Sequence, residues 1–195
     1  MHKKIIFLIG FVFVLLMACN SPFVPKQKGY SQMHFPEKKY QVLKEPGYPY
    51  VFEFPIYAQI NKKLNYFGDT KEADNWMNIN FPEQNATLYI SYRAIQPGQL
   101  DTLIKDANIF VNNHNSMANS MQDSVFTTAN GISGVFFHIG GDVATNYQFY
   151  LTDSTRHFFR AALYFDATPN EDSLAPANAF ILKDLTHLVN TFKWQ

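Results

Sequence analysis

The hydrophobic pattern after residue 50 changes repeatedly between strand-like and helix-like spacing. Short aromatic and β-branched stretches, separated by turn-forming residues, are typical of β-strands. They predict strands at 51–60, 76–81, 86–94, 124–128, 132–139, 143–152 and 156–166. Pro55 interrupts the first stretch, which indicates an edge strand or a bulge. Residues 82–85 are expected to turn a hairpin, and the polar segment 61–75 is expected to be a loop.

Two segments have helical spacing instead. Between 99 and 121, apolar positions recur at steps of three, four and seven, which predicts one long amphipathic helix. A second helix is predicted from about Ala175, with Pro176 in its first turn, where a missing N–H costs nothing. Residues 168–173 before it are predicted to be a turn. The apolar face of the second helix consists of Ala177, Ile181, Leu185, Leu188 and Phe192.

The order of these elements predicts the fold class. Strands, a helix, further strands and a final helix follow one another through short connections, which indicates an α+β domain. We expect an antiparallel sheet of about six or seven strands with helices packed on its faces. The stretch 156–166 is apolar on both faces, so it is predicted to lie in the middle of the sheet. The arrangement resembles the sheet-and-helix sandwiches of the PsbP and Mog1 type, by analogy of element order alone.

The N-terminal region predicts an export signal. Lys3 and Lys4 precede an apolar run from Ile5 to Met17. A basic head and an apolar run of this length are typical of secretion signals, because a membrane-spanning helix needs about 20 apolar residues. The run closes on residues 16–19, Leu-Met-Ala-Cys, which resemble a bacterial lipobox, where the thiol receives diacylglycerol and a peptidase cuts before it. The alternative is an ordinary cleaved signal with an incidental cysteine.

We interpret Cys19 as a lipidation site and divide the chain into three parts. Residues 1–18 are a lipoprotein signal peptide that is cleaved. Residues 19–49 form a lipidated tether and an irregular, proline-punctuated N-terminal segment, and residues 50–195 form a single α+β globular domain. Because more than one acyl chain holds a protein stably on a bilayer, we expect the membrane to be a partner through this anchor.

Charge and cysteine content exclude several classes of function. The chain has 16 basic and 16 acidic residues, and removal of Lys3 and Lys4 leaves 14 against 16, a net charge of −2. A near-neutral chain lacks the basic surface that nucleic acids attract, so no nucleic-acid partner is expected. Cys19 is the only cysteine. Once it is acylated, no disulfide, thiolate nucleophile or cysteine metal site remains.

The sequence lacks recognisable motifs of catalysis and of cofactor binding. Residues 131–134, Gly-Ile-Ser-Gly, resemble a nucleophile elbow, but Val135 stands where its last glycine belongs. The histidines are scattered, not placed at metal-ligand spacing. Residues 140–142, Gly-Gly-Asp, lack the rest of a phosphate-binding loop and are predicted to be a turn. We expect no catalytic residue, no metal site and no cofactor, and hence a protein that is not an enzyme.

Three polar residues fall among apolar neighbours. His114 lies in the stripe of the first predicted helix, and we interpret it as a buried imidazole bonded to a backbone carbonyl. Gln148 and Arg160 project from adjacent predicted strands. Because a buried arginine is costly unless paired, we interpret the three residues as a structural polar core. The alternative is that Arg160 anchors a ligand. Candidate partners of Arg160 are Asp166, Asp153 and Glu53.

Several short motifs follow one another in order along the mature chain. They are Pro25-Lys26, Gly29-Tyr30, Phe35 to Gln41, Tyr48-Pro49-Tyr50, Phe54-Pro55, Trp76 to Pro82, Gln148 to Thr155, His157-Phe158, Arg160 to Phe165, Pro169 to Leu174 and Thr191 to Trp194. Together they resemble the gliding-motility lipoprotein GldD family of Bacteroidota. The resemblance covers essentially the whole mature chain, and Ala161 stands where the family often has a glycine.

The resemblance implies a cell-envelope lipoprotein that is needed for gliding and for the associated type 9 secretion machinery, with no known catalytic activity. We therefore expect a non-enzymatic accessory or assembly component whose partners are other gliding and secretion proteins of the envelope. Residues 20–22, Asn-Ser-Pro, follow the cysteine where outward-facing lipoproteins of this phylum often carry acidic residues, so a periplasm-facing position is expected.

Two other functions remain open at the level of the sequence. One is a periplasmic lipoprotein module that binds a small ligand in a pocket between sheet and helix, near Arg160, Gln148 and His114. The other is a hydrolase with an unrecognised site. Each would place a specific group of polar side chains in a cleft.

Two polar connections are predicted to contact partner proteins, because loops on a rigid scaffold commonly carry recognition residues. The alternative is that both are ordinary turns shaped by local hydrogen bonds. The first connection consists of Asp153, Ser154, Thr155 and Arg156, and the second includes Asn170 and Asp172.

Overall fold

The computed structural model describes residues 33–62 and 75–195, and within them the chain forms ten strands and two α-helices. The predicted signal peptide, Cys19, the tether as far as residue 32 and most of the predicted loop at 61–75 lie outside the described residues. No helix in the described ranges is long and apolar enough to cross a membrane.

The helices and strands have the following bounds. The strands are β1 (Tyr40–Leu43), β2 (Tyr50–Pro55), β3 (Gln59–Asn61), β4 (Met77–Phe81), β5 (Ala86–Ala94), β6 (Ala118–Thr127), β7 (Ser133–Gly141), β8 (Tyr147–Thr152), β9 (His157–Phe165) and β10 (Lys193–Trp194). The helices are α1 (Leu100–Asn112), between β5 and β6, and α2 (Glu171–Thr191), between β9 and β10. A 3-10 turn, Pro82–Gln84, connects β4 to β5.

The strands form two antiparallel sheets. The larger sheet has seven strands in the order β3-β4-β5-β9-β8-β7-β6. The smaller has the order β1-β2-β10. The predicted α+β class with an antiparallel sheet is confirmed, and β9 is the middle strand of the large sheet, as its two apolar faces predicted. The prediction that Pro55 marks an edge strand or a bulge is wrong, because β2 is the middle strand of the small sheet and pairs regularly with β1. Pro55 instead ends β2, before the chain enters the large sheet at β3.

A hydrophobic core lies on each face of the seven-stranded sheet. The larger core joins α2, β2 and one face of the central strands, and it includes Phe52, Leu88, Phe149, Phe159 and Ile181. The smaller core joins α1 to the opposite face. Its buried residues are Leu103, Ala107, Val111, Phe137, Ile139, Val143, Tyr150 and Phe158. Helices therefore pack on both faces of the sheet, as predicted.

The first helix is shorter than the sequence predicts. It ends at Asn112, and Ala118–Thr127 is strand β6, so the prediction of one helix over 99–121 is wrong in its last third. Three asparagines between 112 and 115 favour a turn over a helix. The chain then pairs with β7, and Gly140 and Gly141 end that strand beside β6 and do not form the predicted turn. A Cβ on Gly141 would meet backbone atoms of residues 117–119, so only glycine permits this approach.

The second helix starts earlier than predicted. It begins at Glu171 and not near Ala175, because Asn170 caps its N-terminus through a hydrogen bond from the Ser173 N–H. Pro176 consequently lies inside the helix, beyond its first turn, where its missing N–H removes one helical hydrogen bond. The predicted apolar face is confirmed, since all five of its residues are buried.

The segment before residue 50 is more ordered than expected. The sequence predicted an irregular segment as far as residue 49, whereas Tyr40–Leu43 forms β1 and pairs with β2 over four positions. The compact unit of the structure starts at Met33. Leu43 is buried in the larger core, so this stretch belongs to the folded domain.

Candidate functional site, a cleft beside Arg160

Strand alternation places Arg160 on the α1 side of the sheet. Successive side chains of β9 point to opposite faces, so Phe159 joins the core of α2 while Phe158 joins the core of α1. Arg160 shares the face of Phe158. Its register partners are Ser91 on β5 and Tyr150 on β8. The central position of β9 therefore puts a guanidinium at the middle of the face that α1 covers only in part.

A cleft of about 350 Å³ opens between α1 and strands β5 and β9. Its walls are largely apolar, with Trp76 and Phe158 on one side and Phe110 of α1 on the other. Among the lining residues that the structure describes, Arg160, Arg93 and Asp106 are charged. The described part of the cleft therefore combines largely apolar walls with the guanidinium of Arg160.

Arg160 is held by a neutral partner. Its Nη2 donates a hydrogen bond of 2.6 Å to Oε1 of Gln148, and its guanidinium carbon lies 4.3 Å from the ring centre of Phe110. Burial lowers the pKa of Arg160, because desolvation disfavours the charged form. The pair of Gln148 and Arg160 is thus present, as the interpretation of a polar core required.

The three carboxylates predicted to pair with Arg160 bind other residues or lie outside the cleft. Asp153 lies in the β8–β9 turn, and Glu53 bonds to His187 Nε2 at 2.7 Å. Asp166 is exposed beyond the end of β9. Among residues 33–62 and 75–195, no carboxylate forms an ion pair with Arg160. The structure therefore corrects the prediction: the partner of Arg160 is Gln148 and not a carboxylate.

Gln148 is buried more completely than its partner. Only 1% of it is exposed, and its Nε2 has no hydrogen-bond acceptor. Its Oε1 is committed to Arg160, which fixes the orientation of the amide. A buried amide donor without an acceptor costs stability, so the position of Gln148 is set by its bond to Arg160 and not by its own hydrogen-bonding needs.

The structure places His114 differently from the prediction, which was a helix residue bonded to a backbone carbonyl. It lies in the turn after α1 and is half-buried, and its ring contacts the edge of Tyr164 with centres 6.3 Å apart. Burial lowers the pKa of His114, and the nearby positive charge of Arg160 lowers it further. His114 and Arg160 therefore lie in the same electrostatic environment, although His114 does not line the cleft.

The first predicted partner connection is a tight turn closed by Asp153. One oxygen of Asp153 accepts hydrogen bonds from the backbone N–H groups of Thr155, Arg156 and His157, at 3.0, 2.8 and 2.9 Å. Burial opposes ionisation of this carboxyl, but the three N–H donors outweigh it and lower its pKa to about 2. Ser154 has a φ of 64°, in the left-handed region. The side chains of Ser154, Thr155 and Arg156 are exposed.

The second predicted connection is the start of α2. Asn170 is the N-cap, its Oδ1 accepting from Ser173 N at 2.9 Å, and Asp172 is exposed in the first helical turn. Acidic residues in a first turn interact favourably with the helix dipole. The two connections lie before and after the nine-residue β9, which is about 30 Å long, so the structure does not bring them together into one surface.

Four residues that the sequence did not single out form a cluster around one buried carboxylate. Asp184 of α2 is 2% exposed and accepts hydrogen bonds from Lys38 Nζ at 2.7 Å, Tyr57 OH at 2.7 Å and Tyr40 OH at 3.0 Å. We call Lys38, Tyr40, Tyr57 and Asp184 the Asp184 cluster. The sequence does indicate this cluster through Asp184, an acidic residue on the apolar face of the second predicted helix, three residues after Ile181.

Lys38 is the cation of the Asp184 cluster. Its Nζ also donates to Phe180 O at 2.9 Å and to Tyr57 OH at 2.8 Å, and it lies 3.2 Å from the ring centre of Phe180. Burial lowers the pKa of Lys38, while Asp184 opposes that shift. Burial, and then the charge of Asp184, raises the pKa of Tyr40 to about 12. These contacts attach the segment before β1 to α2.

Within the described ranges, no group of three or more His, Cys, Asp or Glu side chains has the arrangement of a metal site. Ser133, the serine of the elbow-like stretch, is the first residue of β7, and its hydroxyl lies 3.2 Å from the hydroxyl of Thr127. The residues 131–134 therefore form a strand start.

Two solved structures are similar to the chain at low identity. The solution structure of cyanobacterial PsbP (CyanoP) from Synechocystis sp. PCC 6803 has a TM-score of 0.45 and 11% identity, covering 85% of this chain and 98% of that one. The crystal structure of the Saccharomyces cerevisiae Ran-binding protein Mog1p has a TM-score of 0.45 and 11% identity, covering 81% and 96%. No curated protein sequence matches the chain significantly.

The sequence as a whole matches one protein family. The family described as gliding motility lipoprotein GldD matches residues 20–194. The matched region starts directly after Cys19 and ends one residue before the C-terminus, so it includes all the elements described above. The chain belongs to the gliding motility lipoprotein GldD family, whose name indicates a membrane-anchored protein of the cell envelope.

Proposed function

We propose that the protein is a non-enzymatic accessory or assembly component of gliding motility and type 9 secretion, anchored through Cys19 and facing the periplasm. The observation that carries the proposal is the family match, which begins at residue 20, immediately after the lipobox-like tetrapeptide. The folded domain would act on other envelope proteins while the acyl chains keep it at the membrane.

The lipid is the main attachment in this proposal. The mature chain has 14 basic and 16 acidic residues, so electrostatic attraction to anionic headgroups contributes little. Two acylation signals are enough to hold a protein on a bilayer, whereas one chain binds marginally. Diacylglycerol on Cys19 supplies two chains. The Asn-Ser-Pro sequence that follows supports a position on the periplasmic side of the membrane.

Replacement of Cys19 tests the anchor and its role together. In cells carrying Cys19→Ala, we expect incorporation of labelled palmitate into the protein to disappear, the protein to leave the membrane fraction, and gliding and type 9 secretion to be lost. Ser21→Ala is the matched control, since it alters the same segment and retains the thiol. Normal gliding and secretion in the Cys19→Ala strain would refute the proposal.

Partner contact can be tested at the β8–β9 turn. Thr155 is exposed there and its side chain makes only local contacts with Asp153. A photo-crosslinking residue at 155 in the living cell is expected to capture another envelope protein, whereas the same residue at exposed Asp101 of α1 serves as the control. Equal products from both positions, or none from 155, would remove this turn from the contact surface.

A further inference from the structure

We propose that the cleft beside Arg160 binds a small amphiphilic carboxylate, whose anionic group pairs with the guanidinium and whose apolar body lies between α1 and the sheet. This inference concerns the folded domain alone. It does not depend on the accessory role proposed above, since a component of the secretion machinery can bind a ligand or lack one.

Arg160 has unused hydrogen-bonding capacity. A guanidinium carries five N–H donors, and the only hydrogen bond of Arg160 within the described ranges goes to Gln148. No carboxylate of the described chain pairs with it. A partly buried arginine without an anion is unfavourable, because one hydrogen bond to a neutral amide and an aromatic ring offset the desolvation of the charge only in part. The remaining donors have the planar geometry that binds a carboxylate through two parallel hydrogen bonds.

The guanidinium is also oriented in advance. Gln148 holds Nη2 at 2.6 Å, and the Phe110 ring lies 4.3 Å from the guanidinium carbon. Gln148 is buried with its own Nε2 unpaired, so its conformation is maintained at a cost to stability. Functional sites commonly retain residues that lower the stability of the folded protein in this way. An arginine fixed by its neighbours loses less conformational entropy when it binds a ligand.

The walls and size of the cleft define the rest of the ligand. Trp76, Phe110 and Phe158 present aromatic surface, which binds apolar groups. The volume of about 350 Å³ is at the small end of the range for ligand sites, about 300–1,000 Å³. The ligand therefore carries a short alkyl or aryl body and not a long lipid.

The charge of the lining favours a monoanion. The guanidinium of Arg160 and the carboxylate of Asp106 both line the described part of the cleft. A carboxylate monoanion that pairs with Arg160 is repelled less by Asp106 than a phosphate dianion or a polyanion would be. We therefore assign a carboxylate and not a phosphate as the bound group.

Binding can be measured with 4-phenylbutyrate as the probe. The full chain with its anchor is placed in phosphatidylcholine nanodiscs, and tryptophan emission is followed, because one of the two tryptophans, Trp76, lines the cleft. We expect a saturable change in emission. The neutral analogue 4-phenylbutanol is expected to bind at least about tenfold more weakly, because it cannot form a charge-assisted pair with Arg160.

Variants locate the binding site. Arg160→Met is expected to weaken binding of 4-phenylbutyrate at least about tenfold, and Arg160→Lys is expected to retain part of the affinity because the charge remains. Arg156→Met is the matched control, since Arg156 is exposed in the β8–β9 turn and does not line the cleft. Circular dichroism of each variant reports whether it is folded.

Three results would overturn the inference. They are the absence of saturable binding of 4-phenylbutyrate, equal affinity for the acid and the alcohol, and unchanged affinity in folded Arg160→Met. If Arg160→Met does not fold, the comparison of acid with alcohol in the unaltered chain decides the matter, because it requires no variant.

Discussion

At the scale of single residues, the polar side chains fall into two groups that the sequence alone does not separate. Asp153 and Asn170 shape the backbone through local hydrogen bonds. Arg160 and Asp184 instead depend on residues from other elements. The contacts of the first group can be predicted from neighbouring residues in the sequence, whereas the contacts of the second group form only in the folded domain.

Lys38→Met should destabilise the protein. Asp184 would keep its two tyrosine donors but lose its cation, and an unpaired buried charge is costly. Because the Lys38 side chain is 25% exposed, we expect a loss of about 2 kcal/mol, below the range for fully buried pairs. Urea denaturation at neutral pH measures the free energy of unfolding.

Lys39→Met is the control for Lys38→Met. Lys39 is the next residue and pairs with Glu37 at 2.8 Å, but the two side chains are 62% and 78% exposed. An exposed pair of this kind contributes little, so a change below about 0.5 kcal/mol is expected. Equal losses in the two variants would contradict the structural role assigned to the Asp184 cluster.

The pH dependence of stability should include a contribution from Asp153. Its pKa is about 2 in the folded protein and about 3.9 in an unfolded chain. A lowered folded pKa means that the contribution is complete above pH 3.9 and is lost as the pH falls towards 2. Asp153→Asn should cost about 1 kcal/mol at pH 7, because water screens this partly exposed carboxylate, and the cost should shrink as the pH falls through 2.

Urea denaturation of wild type and Asp153→Asn between pH 2 and 7 tests this contribution. The difference in unfolding free energy should decrease as the pH is lowered. Asp123→Asn, an exposed change on β6, should alter the unfolding free energy at pH 7 by less than about 0.5 kcal/mol. A constant difference between wild type and Asp153→Asn at every pH would argue against the bonded carboxylate.

At the scale of elements, the helix ends are set by local hydrogen bonds. Asn170→Ala removes the acceptor of the Ser173 N–H and should destabilise the protein by about 1 kcal/mol. Asn170→Asp retains a capping oxygen and should be nearly neutral. Chemical denaturation followed by circular dichroism distinguishes the two, and equal stability of all three proteins would show that the cap is unimportant.

The sequence predicted most strands because their alternation is a local property. It failed between residues 113 and 121, where Met117, Ala118 and Met121 continue the helical spacing of α1. There the pairing of β6 with β7 decides the structure, and that pairing depends on glycines about 20 residues further along the chain. A sequence window cannot contain both partners of such a contact.

Part of the candidate site was also predictable from the sequence. Strand alternation placed Gln148 and Arg160 on neighbouring strands, and they do bond to each other. The cleft itself was not predictable in detail, because the packing of α1 on the sheet sets its walls. Likewise the Lys38 partner of Asp184 lies 146 residues away, and no short-range pattern connects them.

At the scale of the whole molecule, the two sheets are joined through the C-terminus. Trp194 of β10 stacks on His157 of the large sheet at 4.9 Å between ring centres, while β10 pairs with β2 of the small sheet. The backbone N–H of Gln195 also donates to Pro49 O at 2.9 Å. The last residues of the chain thus connect both sheets, so we expect them to unfold together.

Trp194→Ala should therefore destabilise the entire domain. We expect a loss of about 2 kcal/mol, less than for a fully buried tryptophan because Trp194 is half-buried. Unfolding in urea should remain a single transition by circular dichroism and by Trp76 emission. Val125→Ala, at a side chain that is 79% exposed, is the control and should be nearly neutral. Two separate transitions in wild type would mean that the sheets unfold independently.

The Asp184 cluster has a mechanical consequence. Phe35 stacks on Phe180 and Lys38 binds Asp184, and both precede β1 along the chain. Because these contacts come before β1 along the chain, a force applied from the N-terminal side of Phe35 would reach α2 before it reached any of the described strands. In that direction of pulling, α2 and not a sheet edge would be the first element to bear the force.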